Sequence, residues 1–178
     1  GQVYTPRFVV EKMLDDVGYA QAAVLGRRVL DPACGDGRFL VVVVERIIAA
    51  SPKEDLAQNL ALVEGWDIDA QAVAACCANL QALVEPLGLR IDWNVQTCDS
   101  LQRIAALGEA QRFDFIVGNP PYIRIQHLSE EQRSFVQQHY AFCKSCSTDA
   151  YIAFYELAMH LLAPKGRAAL ITPNTFFY

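Results

Sequence analysis

The sequence predicts an α/β fold, a doubly wound and mainly parallel sheet with helices on both faces. Short strand-like apolar runs alternate with longer runs of helical spacing, and no hairpin signal joins one strand to the next. Asp31, Asp67, Asp99 and Asn119 all fall at or just after the ends of strand-like runs. In such sheets ligands sit beyond the carboxyl ends of the strands, near the point where strand order reverses. Four polar residues along one edge therefore mark a candidate site.

Each element follows from local pattern. Phe8–Val17 has helical spacing behind Thr5-Pro6, which reads as an N-cap and first-turn proline. Arg28–Asp31 is a short buried strand ending at Pro32, and Gly35-Asp36-Gly37 opens a helix that runs to about Ala50. Leu60–Asp67 is the second strand-like run. A helix over Ala70–Leu83 follows, with Asp69 as its cap. Leu89–Val95 alternates as a third strand, and Phe113–Val117 is a fourth that stops at Gly118-Asn119-Pro120-Pro121. Glu130–His139 and Ala150–Leu162 read as helices, Pro164-Lys165-Gly166 as a turn, and Arg167–Thr172 as the fifth strand.

Composition bounds the reading. With 178 residues, 53% of them hydrophobic, the chain suits one domain with a sizeable core. Apolar stretches such as Phe39–Val44 are broken well short of the roughly 20 residues that span a bilayer. With no basic and apolar leader at the start, a soluble, cytoplasmic domain is expected. Residues 1–100 hold 8 basic and 14 acidic side chains, whereas residues 101–178 hold 7 and 6. That balance lacks the basic footprint of a self-sufficient nucleic-acid binder, so nucleic acid would need surfaces outside these residues. Six cysteines are expected as ordinary thiols: Cys143-Lys-Ser-Cys146 has only His139 nearby, and zinc needs about four ligands. The histidines His127, His139 and His160 read as surface or packing residues, and Tyr151, Phe154 and Tyr155 as core. The chain opens without Met and stops on Phe176-Phe177-Tyr178, as a piece of a longer protein would.

Two segments carry chemistry. In Asp31-Pro-Ala-Cys-Gly-Asp-Gly-Arg-Phe39, Gly35 and Gly37 allow a tight turn and close approach of backbone to a ligand. Leu40 breaks the dinucleotide pattern, and the phosphate-loop lysine is absent. A ligand without phosphates, carrying a positive centre, suits this loop better. Asp67 could accept the hydroxyls of a ribose, and Asp99 an adenine amino group. In Asn119-Pro120-Pro121-Tyr122 the prolines remove two backbone donors and hold Asn119 and Pro120 extended. The Asn119 side-chain oxygen and the Pro120 carbonyl become two fixed acceptors for an exocyclic amine, and Tyr122 offers a face for an unstacked base. Nothing in this loop is a conventional titratable base.

This series, with the opening Gly1-Gln-Val-Tyr-Thr-Pro6, resembles the S-adenosylmethionine-dependent DNA amino-methyltransferases. The glycine loop precedes Asn119–Tyr122, as in the gamma order of that family, and the likeness runs through essentially the whole chain. The resemblance implies the Rossmann-like fold of class I methyltransferases, S-adenosylmethionine as cofactor, and methylation of adenine N6 in double-stranded DNA. It also implies a restriction–modification or defence setting, with a restriction endonuclease domain or subunit as companion. Tyr4 and Thr5 would lie at the cofactor, Thr5 holding its methionine carboxylate. Asp31, Ala33, Cys34, Gly35, Gly37 and Phe39 would face the methionyl part. Asp67 would take the ribose, Asp99 the adenine amino group, and Ile68 would pack on the adenine face. Ser100 stands where the family often has an aromatic. The family continues with two more strands, a base-gripping loop and a target-recognition domain, so this chain reads as a C-terminally truncated catalytic core.

Other readings remain open at this stage. Asn-Pro-Pro-Tyr also occurs in methyltransferases of protein glutamine and of RNA, and cytosine N4 is another planar amino nitrogen. A non-catalytic cofactor- or DNA-binding subunit is a reading of a different class, although a retired site need not keep Asn119 and Tyr122.

Overall fold

The computed structural model describes residues 4–106, 108, 112–144 and 149–172. Among the described residues five strands form one parallel sheet in the order β3-β2-β1-β4-β5. They are β1 (Val29–Asp31), β2 (Val63–Asp67), β3 (Asn94–Thr97), β4 (Phe113–Gly118) and β5 (Leu162–Leu170). The helices are α1 (Arg7–Asp16), α2 (Arg38–Ala50), α3 (Leu56–Leu60), α4 (Ala70–Val84), α5 (Glu130–His139) and α6 (Ala150–Leu161). The chain winds outward from β1 to β3, then returns so that β4 pairs with the other edge of β1. The order therefore reverses at the β1/β4 boundary, where a crevice must open.

Side-chain alternation builds a core on each face. Val29, Val63, Phe115 and Val117 pack with α1, α2 and α4, while Leu30, Trp66 and Ile116 pack with α5 and α6. In α2 the β-branched run Val41–Val44 disfavours helix. Burial of Phe39, Leu40, Val42, Val43, Val44 and Ile47 overrides that preference. Asp69 caps α4 as the sequence predicts, accepting from the Gln71 N–H at 2.9 Å.

Several sequence expectations shift. Leu60 belongs to α3, so β2 begins only at Val63. The third strand starts at Asn94, later than the alternation of Leu89–Val95 suggests. The Gln81 side chain explains the delay: it donates to the Leu89 carbonyl and accepts from the Ile91 N–H and the Trp93 indole. Those contacts take up backbone groups that a neighbouring strand would otherwise pair. The expected turn at Pro164-Lys165-Gly166 lies inside β5, which begins directly after α6. It becomes an irregularity, with Phe113 opposite Leu162 but Phe115 opposite Arg167, and Lys165 at φ 68°. Thr5 is not a helix cap, because Pro6 occupies the cap position of α1 and no side chain caps it. Thr172 lies beyond the end of β5, and Cys146, Phe176, Phe177 and Tyr178 lie outside the described residues. Among the described residues no cluster could hold a metal ion, and no helix is long and apolar enough to cross a membrane.

Candidate active site

The strand ends place the predicted polar residues as the sequence pattern requires. Asp31 and Asp67 are the last residues of β1 and β2, Asp99 follows β3 by two residues, and Asn119 follows β4 directly. They open into one cleft of about 680 Å³, a size suited to a nucleoside-sized ligand. Tyr4, Thr5, Ala33, Cys34, Gly35, Phe39, Ile68, Ser100, Pro120, Pro121 and Tyr122 line the same cleft. Gly37 does not. It sits behind the loop at φ +100°, where a Cβ would lie 3.0 Å from the Cys76 sulfur, so its part is to let α2 pack on α4.

Asp31 is 1% exposed, and its Oδ1 accepts from the Ala33 N–H at 3.0 Å. Burial pushes its carboxyl up to about 8, with the Asp67 charge adding in the same direction and the Ala33 hydrogen bond opposing. A Cβ on Gly118 would come within 2.5 Å of Asp31 Oδ1, so the bare backbone of β4 is what lets that carboxyl sit at the switch point. Asp67 ties the glycine loop to β2: Oδ2 accepts from Gly35 N–H and Oδ1 from Asp69 N–H, both at 2.9 Å. Each oxygen keeps a second lone pair for a ligand hydroxyl. Asp99 Oδ1 accepts from Leu101 N–H at 3.2 Å, and Oδ2 faces the Gln132 amide at 3.5 Å. Ile68 is 62% exposed beside these acids, an apolar surface at the mouth of a polar cleft.

Ser100 ties two loops of the site together. Its buried hydroxyl donates to the Pro32 carbonyl at 2.5 Å and holds the loop after β3 against the glycine loop. The sequence pattern missed the wall from α5 and its approach, where Leu128, Gln132, Phe135 and Val136 border the cleft. Ser129-Glu-Glu-Gln132 is a capping box, a legible signal for where α5 begins but not for what it faces.

Across the switch point, Tyr122 is 40% exposed and meets Tyr151 edge-on at 6.5 Å. Burial raises the phenol of Tyr122 above its ordinary value, so it stays neutral. Tyr151 and Phe154 are buried as expected, yet Phe154 also borders the cleft. Asn119 Nδ2 donates to Thr5 Oγ1 at 3.1 Å, joining the segment before α1 to the loop after β4. Beside Thr5, the Arg38 guanidinium lies over the Tyr4 ring at 4.5 Å.

Known proteins resemble this chain in sequence and in fold. The type II methyltransferase M.BstVI of Geobacillus stearothermophilus is 28% identical over 190 residues, covering 99% of this chain and 34% of that protein. The tRNA1(Val) (adenine(37)-N6)-methyltransferase of Porphyromonas gingivalis is 30% identical over 159 residues, covering 88% of this chain and 54% of that one. In fold, the protein of the DrdV–DNA complex matches with a TM-score of 0.72 at 21% identity, over 99% of this chain and 21% of that chain. The chain thus spans about one third of the length of the type II methyltransferase it matches. The pattern of the Eco57I restriction-modification methylases fits residues 68–178, more than half of the chain and inclusive of the Asn119–Tyr122 loop. On that match the chain belongs to the Eco57I restriction-modification methylase family, whose methyl donor is S-adenosylmethionine.

Proposed function

We propose that this chain is the catalytic core of an adenine-N6 DNA methyltransferase of a restriction–modification system, acting in the cytoplasm on an adenine flipped out of double-stranded DNA. The observation that carries the reading is convergence. The Asn119-Pro120-Pro121-Tyr122 loop opens into the same cleft as Asp31, Asp67 and Asp99. The donor set fits S-adenosylmethionine. Asp67 would hold its ribose, Asp99 its adenine amino group and Ile68 its ring face. The loop from Asp31 to Gly35, with Thr5, would hold the methionyl part. When bound, the cofactor supplies an electrophilic methyl group on sulfur.

The rest falls to the chain's own residues. Asn119 Oδ1 and the Pro120 carbonyl would accept the two N–H bonds of the adenine amino group and fix the direction of its lone pair. Tyr122 would stack on the extruded base, its own ring steadied by Tyr151. With Asn119 an amide and Tyr122 neutral, activation rests on positioning and hydrogen bonding rather than on proton abstraction.

A second reading, methylation of an RNA adenine, is favoured by the tRNA methyltransferase relative and by the same cleft. One experiment separates the two. The full-length protein is incubated with methyl-labelled S-adenosylmethionine and unmethylated DNA, or with tRNA, and the nucleosides are analysed. Label is expected in N6-methyladenine from DNA, falling by roughly 100-fold or more on Asn119→Ala. Label in RNA alone would move the reading to the second substrate. No transfer despite cofactor binding would leave a non-catalytic subunit.

A further inference from the structure

Thr5 and Asn119 lie 114 residues apart in sequence, yet they share a hydrogen bond, and both line the cleft. An asparagine amide has two ends of opposite character, an oxygen that accepts and a nitrogen that donates. Presented to an amine, only the oxygen is useful; the nitrogen would set donor against donor. Which end faces the target is therefore a catalytic variable. The neighbours of Asn119 cannot set it through the backbone alone, because rotation about the last side-chain bond is soft.

We propose that Thr5 is a positioning residue for methyl transfer: its hydroxyl accepts from Asn119 Nδ2 and thereby turns Asn119 Oδ1 toward the amino group to be methylated. The inference rests on the function proposed above and adds to it, since that reading gives Thr5 a part only at the cofactor. Thr5 is suited to the task. It is 5% exposed, so water competes poorly for its oxygen. It is also held on both sides. Pro6 follows at φ −60° and leads into α1, which is clamped to α2 by Arg46 contacts to the Glu11 and Tyr19 carbonyls. Tyr4 precedes it under the Arg38 guanidinium.

A hydroxyl that accepts one hydrogen bond still has its own proton to give. A carboxylate of the cofactor, held there as the function proposed above has it, would accept that proton and make the oxygen a better acceptor for Asn119, since hydrogen bonds in a chain polarise one another.

The test uses the full-length protein with Thr5→Val, which keeps the branched shape and loses the hydroxyl, and Thr5→Ser, which keeps the hydroxyl. Thr5→Ala serves as the second hydroxyl-free variant should Val at this position disturb folding. Cofactor dissociation constants are measured by calorimetry, and single-turnover transfer to DNA is then followed at saturating cofactor for each protein. Thr5→Val is expected to lower the saturated rate by about tenfold or more, beyond any loss of affinity, with Ser restoring it to within about threefold. A hydroxyl-free variant that binds cofactor more weakly but transfers at the wild-type saturated rate would overturn the inference and leave the function standing. Wild-type protein that transfers no methyl to adenine would overturn both.

Discussion

Asp31 shows how one buried carboxyl writes itself into the stability of the whole chain. Its carboxyl is raised from 3.8 to about 8 by burial. Between those values the folded protein keeps a proton that the unfolded chain has released. The folded state then binds more protons, so stability falls as pH rises from about 4 to about 8 and levels off above that. The slope from this group approaches about 1.4 kcal/mol per pH unit. Asp31→Asn, which keeps the acceptor for Ala33, should remove that slope when unfolding in denaturant is compared at pH 5, 6, 7 and 8. An unchanged pH profile would mean that the carboxyl is solvated or ionised in the folded chain. At this scale the sequence was informative about identity and silent about state. Strand-end position singled out Asp31, Asp67, Asp99 and Asn119, but the protonation of Asp31 depends on its burial, set by packing with segments distant in sequence such as Gly118, 87 residues on, which leaves room for its carboxyl. Thr5 was misread for the same reason. Locally it looks like a cap, and its partner comes from beyond β4.

Among elements, α5 couples stability to the shape of the cleft. Ser129 Oγ accepts from Gln132 N–H at 3.1 Å while the Gln132 side chain accepts from Ser129 N–H at 3.2 Å. Gln132 also faces Asp99, so the box that starts the helix fixes one wall of the site. Ser129→Ala should cost about 1 kcal/mol in chemical denaturation, since it strands a helix N–H. A midpoint unchanged within error would show the box to be idle. Elements with strong periodicity were legible: α1, α2, α4, α5 and α6 lie within a residue or so of where spacing puts them. β3 was not, because alternation at Leu89, Ile91 and Trp93 reports packing on the core whether or not a strand is there. A single side chain, Gln81, decides that those residues stay unpaired. β5 begins early because nothing in Pro164-Lys165-Gly166 reveals that a turn can be absorbed as a bulge.

Taken whole, the molecule is a sheet whose middle strand is the first one made. β1 is joined to β2 on one side and to β4 on the other, so its second edge is filled only by a segment synthesised much later. On the ribosome, β2 is complete at Asp67 while β4 ends at Gly118, about 50 residues on, a gap of roughly 3–10 s at typical elongation rates. During that interval a half-sheet carries the bare edge of β1 and the unfinished core on its α6 side, the sort of surface that chaperones cover. Arrested nascent chains should therefore stay sensitive to limited proteolysis until β4 and the α5, α6 and β5 segments that follow it have cleared the exit tunnel, then become resistant together with the cleft. Resistance already present when only β1 to β3 have emerged would show that the half-sheet stands alone. The strand order that places the crevice at β1 and β4 thus also dates it: the Asn119–Tyr122 loop emerges with β4, and the cleft is walled only when α5 and α6 arrive behind it.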